Sequence, residues 1–241
     1  MLAAMDADRI AALLEPYLGG APMSPKLAMQ LQAYLDLLLR WNVHINLTGV
    51  RDAGQIVTRH FGESLFAASV LRDFGVFASP LGVAPTLADV GSGAGFPGIP
   101  IKLFAPEVQL TLIESQNKKA TFLREVVRTL GIEGAEVFCG RAENWNQGAT
   151  IVTQRAVEKF ERVLPVAVSL VAEAGTLCVL IGEGQRVTAE KTLGAKWLFR
   201  PSVLIPHSDG RVVLVGERVS QTSRSIGMMG IPRPNPVKIG L

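Results

Sequence analysis

The chain of 241 residues has a hydrophobic fraction of 48% and an aromatic fraction of only 6%. A chain of this length buries a sizeable core, so its stability does not require disulfides or metals. A core poor in aromatic side chains must consist mainly of Leu, Val, Ile and Ala, which favours an α/β fold over an all-β sandwich. The formal net charge of +3 permits an acidic partner but does not identify one.

Cysteine spacing and hydropathy indicate the compartment. Cys139 and Cys178 lie far apart, and neither forms a metal-binding spacing with a histidine. No uncharged stretch reaches the roughly 18 residues of a membrane helix, and charged residues follow Met1 before an apolar run develops. We therefore expect a reduced, cytoplasmic protein without a metal site, neither exported nor inserted in a membrane. No sustained heptad pattern appears, so a monomer is expected.

Three amphipathic helical patterns come first. They cover residues 7–18, 26–40 and 56–71. The second follows Ser24 and Pro25, a typical helix start. Residues 72–85 contain two glycines and two prolines among short apolar runs, which indicates a connection. We therefore predict that residues 1–85 form a helical N-terminal extension packed on the domain that follows.

The pattern changes at residue 86 to an alternation of strands and helices. The predicted strands are 86–90, 108–114, 135–138, 149–153 and 176–181, and the predicted helices are 98–104, 117–130 and 160–172. Such alternation predicts right-handed crossovers and a parallel sheet. Two last strands, 197–205 and 211–217, are joined by a turn with an Asp-Gly pair, which indicates a hairpin. Residues 86–219 are thus predicted to form a doubly wound, Rossmann-like α/β domain, mostly parallel with a C-terminal antiparallel hairpin.

The C-terminal segment is basic. From Arg218 to the end of the chain there are four basic residues and no acidic one. Residues 220–241 are therefore expected to form a basic, flexible tail that suits contact with phosphate, although a tail that only aids solubility fits the same composition.

A glycine cluster lies between the first predicted strand of the domain and the helix after it. Gly91, Gly93 and Gly95 lack side chains, so a ligand can approach the backbone, and the next helix offers free N–H groups. Read from Gly93, the run also fits the G-x-G-x-x-G fingerprint of dinucleotide-binding folds, with Glu114 about twenty residues on. No Lys-Ser or Lys-Thr follows, which excludes a P-loop. The glycines alone do not identify the cofactor.

Two acidic residues in the predicted strands help to distinguish between the possible cofactors. Asp89 stands two residues before Gly91, and the resulting D-x-G-x-G-x-G run resembles the first motif of S-adenosyl-L-methionine-dependent methyltransferases. A carboxylate there attracts the cationic sulfonium and ammonium of that cofactor and would repel a pyrophosphate. Glu114 ends the second strand, where a carboxylate can accept hydrogen bonds from both ribose hydroxyls; a solvated acid in the turn is the alternative.

Over most of its length the chain resembles the RsmG (GidB) family of small-subunit rRNA guanine-N7 methyltransferases. The segments that carry the resemblance are Trp41-Asn42-Val43-His44-Ile45-Asn46-Leu47-Thr48, Arg59-His60-Phe61-Gly62-Glu63-Ser64, the run from Asp89 to Pro100 with its G-F-P-G-I-P motif, and Gln154-Arg155-Ala156-Val157. The resemblance implies S-adenosyl-L-methionine as cofactor and 16S rRNA, free or in an assembling small subunit, as partner. It also implies cofactor contacts at Gly91, Phe96, Ala142, Glu143 and Arg155.

These implied contacts have a physical rationale. Phe96 can cover the apolar surface of the cofactor. Ala142 and Glu143 can offer backbone and carboxylate to the adenine, although the same stretch fits a plain loop. Two residues depart from the family pattern: Glu63 stands where the family usually has Asp, and Ile181 stands where a Lys commonly follows the fifth strand.

The implied reaction needs no proton abstraction, because guanine N7 carries an in-plane lone pair and no proton. Alignment and desolvation of the two reactants can supply the rate enhancement, so no catalytic residue is nominated. Arg155 ends the fourth predicted strand and would face the transfer site; an ordinary ion pair with Glu158 or Glu161 is the alternative.

RNA contacts are expected from the N-terminal extension. Arg59 can bind phosphate or guanine O6, His60 can stack on or bond a base, and Asn46 lies in the same part of the sequence. Structural roles are the alternative: Asn46 and Thr48 would cap turns, and His60 would satisfy a buried carbonyl. A small-molecule methyltransferase and a nicotinamide-binding redox module are rival functions. A non-enzymatic RNA-binding protein would leave the glycine turn unexplained.

Overall fold

The computed structural model describes residues 5–78, 82–155 and 160–219 of the chain. The expected basic tail, residues 220–241, lies outside the described residues. So do Glu158 and the last two residues of the motif Gln154-Arg155-Ala156-Val157.

Among the described residues, four α-helices, a 3₁₀ turn and a π-helical turn precede the sheet. They are α1 (Ala7–Leu14), the 3₁₀ turn Glu15–Tyr17, α2 (Pro25–Asn42), α3 (Ala53–Ile56), the π-helical turn Val57–Gly62 and α4 (Glu63–Asp73). The side chain of Ser24 accepts a hydrogen bond from the backbone N–H of Leu27 at 3.2 Å and caps α2, as the sequence predicts. Asp52 caps α3 in the same way. The third predicted helix therefore begins earlier, at Ala53, and contains a π-helical turn that apolar periodicity does not reveal.

Eight strands form one sheet in the order β3-β2-β1-β4-β5-β8-β6, and β7 also pairs with β8. The strands are β1 (Thr86–Val90), β2 (Gln109–Glu114), β3 (Ala135–Cys139), β4 (Ala149–Arg155), β5 (Val171–Gly182), β6 (Trp197–Phe199), β7 (Val203–Leu204) and β8 (Arg211–Arg218). The strands from β3 to β5 run parallel, whereas β8 is antiparallel to its neighbours. The predicted fold class is confirmed. The strand order reverses between β1 and β4, and ligands of doubly wound sheets bind at the carboxyl ends beside this point.

Helices cover both faces of the sheet. They are α5 (Gly98–Phe104), α6 (Asn117–Thr129), α7 (Phe160–Ser169) and α8 (Glu183–Leu193). The helix α8 is not predicted by the sequence pattern. Its one buried residue is Ala189, so no apolar stripe marks it as a helix. Arg186 pairs with Glu183 and Glu190 along the helix, at 2.7 and 2.9 Å.

Two predicted boundaries on the C-terminal side are wrong. Residues 171 and 172, predicted as the end of the preceding helix, belong to β5, because Val171 pairs with Ala149 of β4 and extends the parallel ladder. The predicted strand 197–205 is two short strands. Pro201 lies between them, and proline has no N–H to donate to the ladder with β8.

Two hydrophobic clusters fill the faces of the sheet. One combines buried residues of the N-terminal helices, such as Leu35 and Phe61, with Phe122 of α6 and Leu180 of β5. The other lies beneath α7 and α8. The N-terminal helices therefore share a core with one face of the sheet. Within the described residues, no helix has the length and apolar character needed to span a membrane.

Gly62 lies where the π-helical turn packs on Tyr17. A Cβ added at Gly62 would lie 2.9 Å from carbons of the Tyr17 ring, which is itself buried. We expect Gly62→Ala to lower the free energy of unfolding by about 1–3 kcal/mol, because overpacking forces the backbone to move. Urea denaturation measures this change.

The matched control is Gly184→Ala in α8. Nothing lies within 4 Å of a Cβ added at Gly184, and alanine is the better helix former. Its free energy of unfolding should therefore stay constant or rise by up to about 1 kcal/mol. Equal stabilities of the two variants would contradict the expected overpacking.

Candidate cofactor and substrate site

The glycine loop after β1 has a backbone that requires glycine. Gly91 and Gly95 have φ angles of +69° and +91°. A Cβ added at Gly91 would meet no atom within 4 Å, so the protein leaves open space beside this residue. At Gly95 the same atom would collide with the hydroxyl of Tyr34 and would lie 2.6 Å from the side chain of Ile99. The loop is therefore open at its start and tightly packed at its end.

Asp89 lies beneath this loop. Its carboxylate is fully buried and accepts hydrogen bonds from the backbone N–H of Gly98 at 3.2 Å and from the hydroxyl of Thr153 at 3.0 Å. Burial raises the pKa of this carboxyl to about 6, although the hydrogen bonds act in the opposite direction. Asp89 thus joins β1 to the start of α5 and to β4, a structural role that the sequence did not reveal. Its contact with a cofactor stays a prediction.

Glu114 connects the end of β2 to the same loop. Its Oε2 accepts a hydrogen bond from the N–H of Gly93 at 2.9 Å, and its Oε1 accepts one from the N–H of Gln116 at 2.7 Å. The side chain is only 5% exposed, so Glu114 is a fixed group and not the solvated acid of the alternative interpretation. Each carboxylate oxygen has a second lone pair, which fits the predicted ribose contact.

A cavity of about 450 Å³ opens at the carboxyl ends of β1, β2 and β3. It is lined by Val90, Gly91, Ile113, Ser115, the turn 140–143, Val163 and Val166. Ala142 and Glu143, predicted to lie beside the adenine, belong to this lining, and Glu143 pairs with Arg141 at 3.1 Å. The size is that of a small-molecule site. A second cavity of about 360 Å³ lies beside Thr86 and Gln109, at the amino ends of the strands, where such sheets do not bind ligands.

Phe96 connects the glycine loop to the N-terminal helices. Its ring stacks on Tyr34 and on His60, with centroid distances of 5.4 and 5.2 Å. Phe61 meets the ring edge-on at 5.0 Å. Only 7% of Phe96 is exposed, so protein already occupies most of its surface. The contact of Phe96 with the cofactor stays a prediction.

Tyr34 supports the same loop from α2. The side chain is fully buried, and its hydroxyl donates a hydrogen bond to the carbonyl of Ala94. Burial raises the pKa of the phenol well above its usual value, so the hydroxyl keeps its proton. The N-terminal extension therefore helps to hold the glycine loop. The sequence analysis missed this role, because the periodicity of α2 marks Tyr34 only as a core position.

Arg155 ends β4 and contacts the N-terminal helices. Its Nη1 donates to Nδ1 of His60 at 2.8 Å, and its Nη2 donates to the carbonyl of Arg59 at 2.9 Å. The same Nη2 lies 3.0 Å from Oε2 of Glu63, which also accepts Arg211 of β8 at 2.9 Å. Arg155 thus forms an ion pair, as the alternative interpretation expected, with Glu63 of α4; of the two glutamates named there, Glu158 lies outside the described residues. Its cofactor contact stays a prediction.

The contacts of His60 define its protonation state. A guanidinium only donates hydrogen bonds, so Nδ1 facing Arg155 is an unprotonated acceptor. The ring proton is therefore on Nε2, which donates to the hydroxyl of Thr48 at 2.7 Å. Burial lowers the pKa of His60 to about 3, and the charges of Arg155, Arg59 and Arg211 act in the same direction. His60 is a neutral, fixed ring whose partner is a hydroxyl and not the expected carbonyl.

Asn42 holds the turn after α2. Its Oδ1 accepts hydrogen bonds from the N–H groups of Leu47 and Thr48 at 2.9 and 3.0 Å, and its Nδ2 donates to the carbonyl of Thr48 at 3.1 Å. The side chains of Asn46 and Arg59 are exposed. Both are accessible to an RNA, and their contact with RNA stays a prediction.

Two solved structures show the class of fold. The chain aligns with the ribosomal protein L11 methylase of Lactobacillus delbrueckii subsp. bulgaricus at a TM-score of 0.51 and 16% identity, over 66% of this chain and 79% of that one. TrmN from Thermus thermophilus gives a TM-score of 0.54 and 14% identity, over 68% and 53% of the two chains. At this identity the likeness concerns the fold alone. The chain has the Rossmann-like fold of the methyltransferases.

Sequence relatives identify the family. Residues 27–198 match the GidB family, described as rRNA small subunit methyltransferase G. The ribosomal RNA small subunit methyltransferase G of Streptococcus agalactiae serotype V is 31% identical over 231 residues, covering 90% of this chain and 94% of that protein. The Streptococcus thermophilus protein of the same name is 32% identical with the same coverage. The chain belongs to the GidB family, and the resemblance found in its sequence is confirmed.

Tyr34→Phe removes one buried hydroxyl and preserves the ring that stacks on Phe96. We expect its affinity for S-adenosyl-L-methionine to fall about fivefold, which corresponds to the roughly 1 kcal/mol of one hydrogen bond to the loop. Calorimetric titration measures the affinity. The chain has two tyrosines, and Tyr17→Phe, a buried position outside the loop, is the control with unchanged affinity. An unchanged affinity of Tyr34→Phe would show that the loop does not need this bond.

The low pKa of His60 makes folding depend on pH. His60 titrates near 6.5 in the unfolded chain and near 3 in the folded protein, so between these values the unfolded state binds more protons. The folded state therefore loses stability as pH falls through this window. His60→Gln removes the titrating group, and the stability advantage of the wild type over this variant should shrink as pH falls. Urea denaturation at several pH values measures the two stabilities. The titration of Asp89 affects both proteins equally and therefore cancels in their difference. A difference independent of pH would contradict the neutral, buried imidazole.

Proposed function

We propose that the protein methylates N7 of a guanine in 16S rRNA, with S-adenosyl-L-methionine as the methyl donor. The observation that carries the choice of N7 is the state of the proton acceptors near the site. Glu63 is paired with two guanidiniums, and Asp89 is buried beneath the loop. The acceptor nitrogen of His60 is already bonded to Arg155. None of these described groups is free to take a proton, which favours a nucleophile that has none to lose.

The residues around the cavity fit the proposed cofactor. The fixed carboxylate of Glu114 suits the ribose hydroxyls, and Ala142 with Glu143 suits the adenine. The open backbone of Gly91 borders the same space, and Gly93 is held beside it by its bond to Glu114. When bound, this cofactor would supply an electrophilic methyl group: the N7 lone pair would attack the methyl carbon in line, and the C–S bond would break to release S-adenosyl-L-homocysteine.

The other predicted cofactor residues support the loop. Asp89 holds the start of α5, and Gly95 gives Tyr34 the space to reach the loop carbonyl. Phe96 is packed between two rings, and Arg155 is fixed by three contacts at the end of β4. Such groups align and desolvate the reactants, and alignment alone can account for a large rate enhancement.

The N-terminal extension, residues 1–85, is proposed as the RNA side of the enzyme, which acts as a monomer. The exposed Arg59 suits phosphate or guanine O6, and the exposed Asn46 suits a base edge. His60 contributes to this side through Arg155 and Phe96, which it holds. The basic segment 220–241 adds charge for phosphate contact.

The test is transfer of labelled methyl from S-adenosyl-L-methionine to 16S rRNA that lacks its native methylations. Free RNA and small-subunit particles are both supplied, and mass spectrometry identifies the product. We expect N7-methylguanine at one nucleotide. A methyl group on another atom would refute the N7 assignment. Cofactor binding without labelling of either RNA form would direct the search to small-molecule substrates.

Arg59→Ala tests the RNA side in the same assay. We expect methylation to fall about tenfold, the effect of losing a contact of 1–3 kcal/mol with RNA, while the affinity for the cofactor is preserved. Arg9→Ala, an exposed arginine of α1, is the control that should keep full activity. Loss of cofactor binding in Arg59→Ala would contradict an RNA role.

A further inference from the structure

The carboxyl edge of the sheet has two differently built halves. The cavity lies at the ends of β1, β2 and β3, and Glu114 at the end of β2 bonds the adjoining glycine loop. Beyond them, β4 ends at Arg155, and β8 begins at Arg211, opposite Gly182 at the end of β5. In a doubly wound sheet both halves border the same crevice. The half that does not line the cofactor cavity is therefore the place for the methyl acceptor.

Two arginines meet a glutamate on this second half, and a third arginine is attached to them through its backbone; we call these residues the arginine cluster: Arg59, Arg155, Arg211 and Glu63. Oε2 of Glu63 accepts Nη2 of Arg155 at 3.0 Å and Nη2 of Arg211 at 2.9 Å. The backbone carbonyl of Arg59 accepts Nη2 of Arg155 at 2.9 Å, and the charge of its exposed side chain acts on Glu63 and Arg155. The cluster thus has three guanidiniums and one carboxylate, and the adjacent His60 is neutral.

The surplus positive charge is partly shielded from water. The side chains of Arg155 and Arg211 are 14% and 22% exposed, and that of Glu63 is 5% exposed. Burial lowers the pKa of Arg155 to about 10; Glu63 opposes this shift, and the like charges of Arg211 and Arg59 add to it. Cations brought together in this way are stabilised by an additional anion, more strongly than exposed cations would be.

Arg211 is the member of the cluster best suited to bind that anion. Among the described residues its one side-chain partner is Glu63, through Nη2. A guanidinium has five N–H donors in a planar fork, which matches the oxygens of a phosphate. The fork of Arg155, in contrast, already donates to His60, Arg59 and Glu63.

We propose that the arginine cluster binds a backbone phosphate of the substrate RNA, with Arg211 and Arg59 as its direct contacts. This inference rests on the proposed function and names the group that would seat the RNA beside the transfer site. The carboxylate of the cofactor is the other source of a bound oxyanion. The two sources differ in their dependence on salt and in the ligand whose affinity changes.

The test compares Arg211→Gln with wild type in binding to a 16S rRNA fragment over a series of salt concentrations. Glutamine removes the charge and leaves Glu63 its ion pair with Arg155. We expect RNA affinity to fall about tenfold and the slope of log affinity against log salt to decrease by about 0.7–0.9, as for one lost phosphate contact. Affinity for S-adenosyl-L-methionine should stay constant. Arg211→Lys, which retains the charge, should preserve the slope.

The matched control is Arg200→Gln. Arg200 is a partly exposed arginine paired with Glu217, near the opposite end of β8, at 2.9 Å. Its loss removes the same charge and should leave both the slope and the RNA affinity unchanged. Equal changes in the two variants would show an effect of net charge alone and would overturn the proposal. Thermal melting of all variants confirms that they are folded.

The remaining outcomes distinguish a failure of the phosphate site from a failure of the proposed function. If the wild type methylates 16S rRNA but Arg211→Gln has an unchanged salt slope, the phosphate site is wrong and the proposed function stands. If Arg211→Gln weakens S-adenosyl-L-methionine instead of RNA, the cluster binds the cofactor carboxylate and the proposal is wrong. If the wild type neither binds nor methylates the RNA, both the function and the phosphate site are refuted.

Discussion

The packing of Phe96 between Tyr34 and His60 connects the glycine loop to the N-terminal helices, and the geometry of the site depends on it. On one side, Tyr34 bonds the loop carbonyl of Ala94 and occupies the space that Gly95 leaves. On the other side, His60 accepts the guanidinium of Arg155. Aromatic stacking has a preferred geometry, so one ring orients both its neighbours. The helical extension therefore helps to hold the glycine loop proposed to bind the cofactor, and it is also the side proposed for RNA.

Electrostatics imposes a second constraint on the same region. His60 can stack on Phe96 and accept from Arg155 only as a neutral ring, and burial beside three guanidiniums keeps it neutral. Glu63 then supplies a carboxylate that pairs with both Arg155 and Arg211. Glu63 stands where the family usually has Asp, and it provides the same negative charge to both guanidiniums. A buried pair of this kind is costly to break, because a single unpaired charge would stay in a poorly solvated place.

Local features of the chain were sufficient to predict most of the fold. The strand β1 and the helix α5 have the predicted bounds, since an apolar run, a glycine turn and a helix start follow one another directly. Other elements differ from the prediction. The ladder with β4 extends β5 backwards to Val171, and α8 exists without an apolar stripe of its own. The extension of β5 is not visible in a sequence window, because it depends on a strand elsewhere in the chain. The helix α8 escapes a search for apolar periodicity, because Ala189 is its one buried residue.

The sequence by itself determined the fold class, the family and the positions of Gly91, Glu114 and Ala142, since these follow from short-range pattern and motif. Only the tertiary structure decided which groups meet at the end of β4. Arg155 of β4 pairs with Glu63 of α4, 92 positions earlier in the chain, and Arg211 joins them from β8. The physical reason is that an ion pair or a tautomer depends on distance, burial and neighbouring charge. Folding creates these three quantities by bringing distant segments together.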